Sequence, residues 1–337
     1  MIQSVVHIVD DASWGGVNRL LNCLVGDNTS PNRDQHKIMR INRGLTKAPQ
    51  IEADVIVSHM SICWKNVAFF SSLRSTNPET PLIHVEHSYS ERYVALKVAN
   101  RARFEDLLRL SYALFDRVMA VSKPQAAWLA RRGFVQPSQL VTISSCVKLG
   151  SFEEIASKKP QGQITIGAIG RFHEQKGFDI LVEAFAAAAP ADMRLLLVGD
   201  GADQTKLEKL AQRKSNIVFV PHTANPAEAM AQCDLVAMPS RWEPYGLVAL
   251  EAMAAQRPLI VSNVDGLRQH IADGAIAVAE NSVAGWIDAI IRLSLRDAVE
   301  ALPVGKGAIN AEAQFIQSWN ALIESLTTNS GKSQMAA

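Results

Sequence analysis

Two glutamates eight residues apart, Glu243 and Glu251, are the side chains best placed to do chemistry. Residues 234–238 are short, apolar and bounded by polar residues, which predicts a buried parallel strand just before them. Residues 247–255 are good helix formers, so we expect a helix after them. Glu243 would lie in the turn and Glu251 about two helical turns into the helix. Both carboxylates can therefore face one cleft.

The same turn predicts an anion-binding helix terminus. The backbone N–H groups of Gly246 and Leu247 would begin the helix and have no partner within it. Such a terminus attracts negative groups, above all phosphate. The spacing alone favours a simpler interpretation, in which Glu243 caps the helix and Glu251 is a solvated helix residue. Only the residues around the two glutamates can distinguish a shared site from this simpler interpretation.

A second turn, residues 170–177, carries two cations between a predicted strand and a predicted helix. The strand covers residues 164–169 and the helix residues 177–189. Arg171 and Lys176 stand at the mouth of this turn. Arginine offers a planar fork of donors and lysine a point charge, a combination that suits a diphosphate. The alternative is that both are surface charges that cap a loop.

Both turns resemble motifs of one enzyme family. Residues 240–254 match the pattern S-x-x-E-x-[FY]-G-x-x-x-x-E-A-M-A in register, with the two glutamates at E-x7-E spacing. Residues 170–184 match G-R-[LF]-x-x-x-K-G-x-D-x-L-[IVL]-x-A. The chain therefore resembles the retaining nucleotide-sugar glycosyltransferases of family 4, the glycosyl transferases group 1, which have the GT-B fold. The resemblance covers roughly residues 2–326 and is strongest over residues 164–280.

The resemblance implies a nucleotide-diphosphate sugar as substrate, with no further cofactor and no metal ion. The charge that grows on the diphosphate leaving group would be stabilised by Arg171, Lys176 and the amides of Gly246 and Leu247. Glu243 would bind the sugar hydroxyls or steady an oxocarbenium-like centre, and Glu251 would hold the ribose hydroxyls. Tyr245 and the two glycines of the V-G-x-G turn, Gly199 and Gly201, would complete the donor pocket.

A glycine pair near the amino terminus resembles another element of that family. Gly15 and Gly16 follow a predicted strand at residues 2–9, and glycines there let the backbone approach a ligand closely. The segment resembles the family's G-G-x-x-R loop, with Arg19 in the basic position. The resemblance implies that this loop lies against the donor phosphates or the acceptor.

His87 ends a predicted strand at residues 81–87, at the carboxyl end where open α/β sheets place ligands. It resembles the family histidine that contacts the transferred sugar and the acceptor, and it could relay the proton of the acceptor. His84 lies inside the apolar run of the same strand, which predicts a core histidine.

The chain departs from the family pattern in two turns. Ser145 and Cys146 replace an Asn-Gly pair and Lys148 replaces an aspartate, near the predicted hinge. Pro221 removes a backbone donor where the base of the nucleotide usually binds through main-chain groups. The sequence therefore specifies neither the acceptor nor the base.

The α/β alternation occurs twice, which predicts two doubly wound, Rossmann-like domains facing a central cleft. We expect an acceptor domain over residues 1–155 and a donor domain over residues 163–308, joined by a polar linker at 153–162. The GT-B resemblance implies that an amphipathic helix at 309–326 crosses back to the first domain. Residues 327–337 are polar and small, which predicts a flexible tail.

The charge distribution is uneven although the net charge is only +1. Residues 1–160 hold 20 basic against 14 acidic residues (+6), and the remainder holds 14 against 19 (−5). Nine basic residues fall within residues 92–132. They form either a solvated helix face or a peripheral contact with an anionic membrane. No aromatic residues interleave with them as in a nucleic-acid stacking surface, so nucleic acid is not an expected partner.

Composition indicates a globular protein of the cytoplasm, either free or in peripheral contact with the inner face of the cell membrane. Hydrophobic residues make up 48% and charged residues 20%, and no apolar run is long enough to span a bilayer. The four cysteines lie far apart, without C-x-x-C spacing, which argues against a disulfide framework or structural zinc. The expected partners are a nucleotide sugar and a glycan or lipid-linked acceptor, as in bacterial polysaccharide or envelope glycan synthesis.

Three other functions remain to be compared with glycosyl transfer. A sugar-nucleotide 2-epimerase shares the GT-B fold, but the E-x7-E pattern and the Arg/Lys pair match the transferases better. A non-catalytic scaffold of a polysaccharide assembly complex would explain the departures at Ser145, Lys148 and Pro221. A dinucleotide-dependent dehydrogenase is disfavoured, because neither glycine turn completes G-x-G-x-x-G.

Overall fold

The computed structural model describes residues 4–10, 15–25, 35–156, 162–188, 192–212, 214–223, 225–293 and 296–334, with only the backbone at 296, 298 and 329–334. The chain divides into two units. Unit 1 comprises residues 1–148 and 310–337, and unit 2 comprises residues 149–309. The division falls at residues 148 and 149, ahead of the predicted linker, of which residues 157–161 lie outside the described part.

Unit 1 contains a parallel six-stranded sheet with the strand order β2-β1-β3-β4-β5-β6. Its strands are β1 (Val5–Val9), β2 (His36–Arg40), β3 (Val55–Ser58), β4 (Leu82–Glu86), β5 (Arg117–Ala120) and β6 (Leu140–Thr142). Every residue of β1, β3 and β4 is buried, as expected for parallel strands that are covered on both faces. The predicted strands at 2–9 and 81–87 are confirmed within the described residues.

The helices of unit 1 are α1 (Gly16–Val25), α2 (Trp64–Thr76), α3 (Glu91–Lys97), α4 (Arg101–Tyr112), α5 (Lys123–Arg131) and the last helix of the chain, α14 (Ala311–Gln334). The last helix buries Phe315, Trp319 and Ile323, and the Trp319 ring stacks on the His7 ring of β1 at 5.7 Å. The helix therefore packs back on the first unit, as expected. It begins two residues after the predicted start and continues to Gln334, so the predicted tail is helical that far.

Unit 2 contains a second parallel sheet, with the strand order β12-β11-β10-β7-β8-β9. Its strands are β7 (Ile164–Ile169), β8 (Met193–Val198), β9 (Ile217–Val220), β10 (Leu235–Met238), β11 (Leu259–Ser262) and β12 (Ile276–Val278). Its helices are α6 (Gly150–Glu153), α7 (Phe178–Ala188), α8 (Gln204–Leu210), α9 (Pro226–Gln232), α10 (Leu247–Ala254), α11 (Leu267–Ala272), α12 (Val283–Leu293) and α13 (Arg296–Glu300).

The order of strands in unit 2 reverses between β7 and β10, which are neighbours although two strands separate them along the chain. Open α/β sheets bind ligands in the crevice that such a reversal opens at the carboxyl ends of the strands. In unit 1 the corresponding reversal lies between β1 and β3. The topology thus singles out the turns after β7 and β10 in one unit, and those after β1 and β3 in the other.

Candidate functional site

The two turns singled out in unit 2 meet through one ion pair. Lys176, in a 3-10 turn at Glu174–Lys176 after β7, donates to Glu243, in the turn after β10, with 2.5 Å between Nζ and Oε2. The side chains are only 17% and 9% exposed. Ser240 Oγ donates to the same carboxylate oxygen at 3.3 Å. The structure therefore brings together the cation and the carboxylate that the sequence predicted for one site.

Neither simpler interpretation of the two glutamates holds. Helix α10 begins after Gly246, with no side-chain hydrogen bond to its first turn, so Glu243 does not cap it. Glu251 is completely buried in α10 and is not a solvated residue. Leu247 is the first residue of the helix, as predicted, and Gly246 precedes it with a φ of +96°, in the left-handed region that glycine tolerates.

The loop that carries Lys176 is held against the loop that carries Glu243. Gly177, with a φ of +65°, packs so closely that a Cβ atom there would lie 2.1 Å from the Pro239 carbonyl oxygen. Arg241 donates its backbone N–H to the Gln175 carbonyl at 2.8 Å. The Arg241 guanidinium also forms two hydrogen bonds with the Asp179 carboxylate, at 2.8 and 3.0 Å. Such paired hydrogen bonds fix orientation as well as distance.

The turn after β11 clamps Glu243 from the other side. Asp265 Oδ2 accepts the Glu243 backbone N–H at 3.2 Å, and the Gly266 N–H donates to the Glu243 carbonyl at 2.8 Å. Asn281 donates to the carbonyl oxygens of Pro239 and Ser240 at 3.1 and 3.2 Å. The roles of Asp265 and Asn281 are not predicted by the sequence. Gly266 packs against the Pro244 backbone, where an added Cβ atom would lie 2.1 Å from the carbonyl oxygen.

Tyr245 is buried beside His270. The two rings are 4.7 Å apart, and His270 Nε2 forms a 3.0 Å hydrogen bond with the Tyr245 carbonyl oxygen. Burial lowers the pKa of His270 to about 4, although the hydrogen bond to the carbonyl opposes that shift. The ring is therefore neutral at neutral pH, and the Tyr245 backbone is fixed next to the start of α10.

The two glycines of the V-G-x-G turn bring the ends of β7 and β8 together. A Cβ atom at Gly199 would lie 2.0 Å from the Gly170 carbonyl oxygen, and one at Gly201 would lie 2.3 Å from that of Phe172. Arg171 follows Gly170, and its side chain is exposed. It is not joined to Lys176 or Glu243 by any hydrogen bond or ion pair found among the described residues. The donor-pocket roles of these residues remain predictions.

The glycine pair of unit 1 stands where the sequence placed it. Gly16 begins α1, and the Arg19 N–H donates to the Gly15 carbonyl at 3.2 Å. Arg19 is half-buried, and burial lowers the pKa of its guanidinium. The four residues before Gly15 lie outside the described part of the chain.

His87 lies directly after β4 and is half-buried. Burial lowers its pKa to about 4; the Glu86 carboxylate opposes the shift, and His84 adds to it. His87 Nε2 lies 2.9 Å from Nδ1 of His59, which directly follows β3. His84 is a core residue, as predicted, and its Nε2 lies 3.4 Å from Glu86 Oε2.

The described residues contain neither a candidate metal site nor a helix that could span a membrane. No group of three or more histidine, cysteine, aspartate or glutamate residues is arranged to hold a metal ion. Among the helices of the described ranges, none is both long enough and apolar enough to cross a membrane.

Known proteins resemble this chain in sequence and in fold. The family model described as "Glycosyl transferases group 1" matches residues 163–296. The D-inositol 3-phosphate glycosyltransferase of Segniliparus rotundus is 30% identical over 277 residues, which are 73% of this chain and 60% of that protein. This chain spans less than two thirds of the length of that relative, and only 33% of another curated relative.

Solved structures extend the likeness to the whole chain. The structure of Anabaena Alr3699/HepE in complex with UDP and glucose has a TM-score of 0.70 at 16% identity and covers 99% of this chain and 100% of that one. The structure of WaaG, a glycosyltransferase involved in lipopolysaccharide biosynthesis, has a TM-score of 0.63 at 16% identity, with coverages of 96% and 98%. The fold agrees with these structures: the chain has two Rossmann-like units, and its last helix returns to the first unit. The matched sequence motifs agree with them as well. Residues 163–296 belong to the group 1 glycosyltransferase family, and the chain has the GT-B fold.

Proposed function

We propose that this protein transfers a sugar from a nucleotide-diphosphate sugar to a hydroxyl acceptor with retention of the anomeric configuration. The observation that carries the proposal is the half-buried pair of Lys176 and Glu243 at the strand-order reversal of unit 2. Three loops hold it in place, through Gly177, Arg241 and Asp265. A site held by its surroundings in this way suits catalysis by positioning and electrostatic stabilisation.

In the proposed reaction, the bond between the anomeric carbon and the diphosphate oxygen breaks. Lys176, Arg171 and the N–H groups that begin α10 stabilise the charge of the leaving diphosphate. Glu243 binds the sugar. Glu251 binds the ribose, which requires the residues that bury its carboxylate to move aside. Binding of the phosphates would compete with Glu243 for Lys176, which frees the carboxylate to face the sugar. The exposed Arg171 is available to close on the second phosphate.

The donor and the acceptor are proposed by class. A UDP-sugar is the first donor to test, since the fold neighbour from Anabaena was solved with UDP and glucose. The acceptor is proposed to be a glycan or lipid-linked intermediate of envelope or polysaccharide synthesis in the cytoplasm, in line with the lipopolysaccharide role stated for WaaG. His87 of unit 1 is proposed to bind the sugar and accept the proton of the acceptor.

A peripheral contact of residues 92–132 with an anionic membrane is a separate part of the proposal. Several of the basic residues there already have acidic partners: Arg109 pairs with Glu105 and Asp106, and Arg131 pairs with Glu91. Exposed Leu96 on α3 and Leu110 on α4 lie on the same stretch and could enter a lipid surface. Sedimentation with phospholipid vesicles tests the contact. We expect the protein to sediment with anionic vesicles and not with neutral ones.

The test of function is a panel of nucleotide sugars scored by thermal shift, followed by measurement of released nucleotide. A bound donor raises the melting temperature by mass action. We expect stabilisation by at least one nucleotide-diphosphate sugar and slow release of its nucleotide to water. Lys176→Ala should abolish both effects, whereas Lys209→Ala, which removes an exposed lysine of α8 in the same unit, should leave them unchanged.

Two outcomes would contradict the proposal in different ways. Binding without nucleotide release in the presence of any tested acceptor would favour a scaffold. Tight binding of a reduced nicotinamide nucleotide, with no response to nucleotide sugars, would favour a dehydrogenase. Activity that persists after chelation with EDTA would support the expected metal-independent chemistry.

A further inference from the structure

Four histidines of unit 1 form one continuous hydrogen-bonded chain. His87 Nε2 lies 2.9 Å from His59 Nδ1, His59 Nε2 lies 2.9 Å from His7 Nδ1, and His7 Nε2 lies 2.9 Å from His36 Nδ1. Adjacent rings meet edge to edge, with centroids 5.1 to 5.2 Å apart and planes inclined by 24° to 35°. Each ring thus contacts the next through a nitrogen atom.

The sheet of unit 1 builds this chain across four adjacent strands. His36 begins β2, His7 lies in the middle of β1, and His59 and His87 directly follow β3 and β4. The strands are neighbours in the order β2-β1-β3-β4, so the four rings form a row across the sheet. The Trp319 ring of α14 covers the row at His7. His7, His36 and His59 are all buried.

The hydrogen bonds couple the tautomers of the four rings. Each link between two ring nitrogens needs one proton, and a neutral imidazole has only one N–H. His7 and His59 use both nitrogens, so each must donate in one link and accept in the other. The neutral chain therefore has two states: every ring protonated on Nε2, or every ring protonated on Nδ1. The first state leaves a lone pair on Nδ1 of His87.

We propose that His59, His7 and His36 form, behind His87, a relay that carries the proton of the acceptor hydroxyl away from the reaction site. The inference rests on the glycosyl transfer proposed above and deepens it. His59, His7 and His36 act through His87 and are positioning residues. Imidazole suits the task because it accepts a proton on one nitrogen while it gives one up from the other.

The step balances atom by atom. As the acceptor oxygen bonds to the anomeric carbon and the diphosphate leaves with the electron pair of the broken bond, the acceptor O–H proton moves to His87 Nδ1. The Nε2 proton of His87 passes to His59 Nδ1, that of His59 to His7 Nδ1, and that of His7 to His36 Nδ1. The Nε2 proton of His36 is released to water. The chain changes from the first state to the second, and no ring keeps an added charge. It returns to the first state when His87 Nδ1 gives its proton to water and His36 Nε2 takes one from water, so that the protons move back along the chain.

A relay also resolves a difficulty with His87 as a lone base. Burial lowers the pKa of His87 to about 4, so a proton held on that ring alone would be unfavourable. Burial likewise lowers the pKa of His7 and of His59, and that of His36 to about 4. None of the four rings favours a lasting positive charge. Packing alone gives no reason for four polar rings joined nitrogen to nitrogen.

The first test uses the whole protein with 15N-labelled histidine at pH 8. Nitrogen shifts and two-bond couplings distinguish Nδ1–H from Nε2–H in each ring. We expect the same tautomer, or the same ratio of tautomers, in His7, His36, His59 and His87. Opposite tautomers in two adjacent neutral rings would overturn the proposal. This measurement needs no substrate, so it stands even if the proposed transferase activity fails.

The second test separates a relay from packing by the position of the break. The probe is UDP-glucose, with water as acceptor, or whichever donor the panel identifies. His7→Phe and His36→Phe each break the relay, so we expect both to lower kcat by about 10-fold or more with KM unchanged. The double variant should be no slower than either single variant, because one break already stops the transfer. The wild-type solvent isotope effect should fall in all three.

Packing predicts a different pattern, in which the loss shrinks with distance from His87. A wild-type rate in His36→Phe together with a slow His7→Phe would therefore overturn the relay. His222→Phe, at an exposed histidine of unit 2, is the matched control and should leave kcat and the isotope effect unchanged. UDP affinity and circular dichroism report whether each variant is folded. If the wild-type protein releases no nucleotide, the proposed function fails and the labelled-histidine measurement still decides the arrangement of the chain.

Discussion

The two units have the same kind of sheet but opposite chemistry where the strand order reverses. In unit 2 the turns after β7 and β10 hold ion pairs, between Lys176 and Glu243 and between Arg241 and Asp179. In unit 1 a row of neutral histidines crosses the sheet and reaches the carboxyl ends of the strands at His59 and His87. Charged groups suit a diphosphate, and neutral imidazoles suit the movement of a proton. The fold fixes where a site lies, and the residues after each strand fix what it can do.

Burial explains why the two edges differ in charge. The pairs of unit 2 keep some contact with water, and each charge has an opposite partner. The histidines of unit 1 lie inside the unit, where desolvation penalises the charged ring. The carboxylate next to them, Glu86, is also buried, and it is satisfied by the Tyr112 hydroxyl at 2.7 Å and the N–H groups of Ser88 and Tyr89 at 2.7 and 2.9 Å. The difference between the two units can be tested by lowering the pH, by removing charged side chains and by adding methyl groups at closely packed glycines.

The largest expected difference between the units is their response to mild acid. Among the described histidines with a lowered pKa, unit 1 holds His7, His36, His59 and His87, and unit 2 holds His270. Below about pH 6.5 an unfolded histidine binds a proton, whereas folded His36, His87 and His270 stay neutral until about pH 4. Burial also holds the pKa of His7 and His59 well below 6.5. The unfolded state then binds more protons, so stability falls as the pH falls through this window. At pH 5 the loss is about 2 kcal/mol for each ring whose folded pKa is about 4, namely His36, His87 and His270.

Hydrogen exchange of the full chain between pH 7 and pH 5 measures this difference. The amides of β1 and β3 should lose protection at a higher pH than those of β7 and β8. His7→Phe removes one of the titrating rings and should reduce the loss in unit 1. If the strands of unit 2 open first, then burial does not dominate the titration of the four rings.

Removal of the carboxylate from the central ion pair of unit 2 should have the next largest effect. Glu243→Ala takes away the group proposed to face the sugar and leaves Lys176 half-buried without its partner. We expect donor turnover to fall by about 10²- to 10³-fold, the usual loss for one electrostatic group of an active site. Initial rates of nucleotide release measure it. Glu183→Ala, which removes an exposed carboxylate of α7, is the control, and an equal loss there would remove the special role of Glu243.

The sequence predicted unit 2 better than unit 1 for a physical reason. Strands β7, β8 and β10 are short apolar runs, and the charged residues follow them within a few positions, so local patterns suffice. The resemblance of both turns to one family then assigned Lys176 and Glu243 to one site. In unit 1 the strand β2 was missed, because its sequence HKIMR is largely exposed at the sheet edge and gives no apolar run.

The missed strand also concealed the histidine chain. His36, His7, His59 and His87 are scattered over 80 residues of sequence and become neighbours only through the order of the strands. The same holds for Asp265 and Asn281, which clamp the Glu243 loop from 22 to 42 residues away. Spacing along the chain carries no signal for such contacts. Sheet order must be known before they can be read.

Close packing of the site loops in unit 2 predicts a loss of stability from one added methyl group. Gly177→Ala puts a Cβ atom 2.1 Å from the Pro239 carbonyl oxygen, so the Lys176 loop must shift. Strain and clash together should cost about 2–3 kcal/mol, and UDP affinity should fall with them. Denaturant unfolding and calorimetric titration with UDP measure the two effects.

Unit 1 provides the matched control for that variant. Gly133 has a similar φ, +61° against +65°, but nothing lies within 4 Å of its Cβ position. Gly133→Ala therefore lowers the free energy of unfolding only through the strain of the left-handed backbone, by about 1 kcal/mol, and should not change UDP affinity. Equal losses in the two variants would mean that the close contact of the loops in unit 2 adds nothing.

The smallest expected effect comes from the second ion pair of unit 2. Burial alone would raise the pKa of Asp179, but hydrogen bonds from Arg241 and Lys206 outweigh it and lower the pKa from 3.8 to about 2. A carboxylate with a depressed folded pKa adds stability above about pH 4 that is lost as the pH falls towards 2. Asp179→Asn should therefore cost about 2 kcal/mol at pH 7 and almost nothing at pH 2, measured by denaturant unfolding at both values.

Glu91→Gln in unit 1 breaks an equally close pair with Arg131, but those side chains are 50% and 56% exposed, so the loss should stay below about 1 kcal/mol. If Asp179→Asn and Glu91→Gln reduce the free energy of unfolding equally, burial of the Arg241–Asp179 pair adds nothing to its contribution.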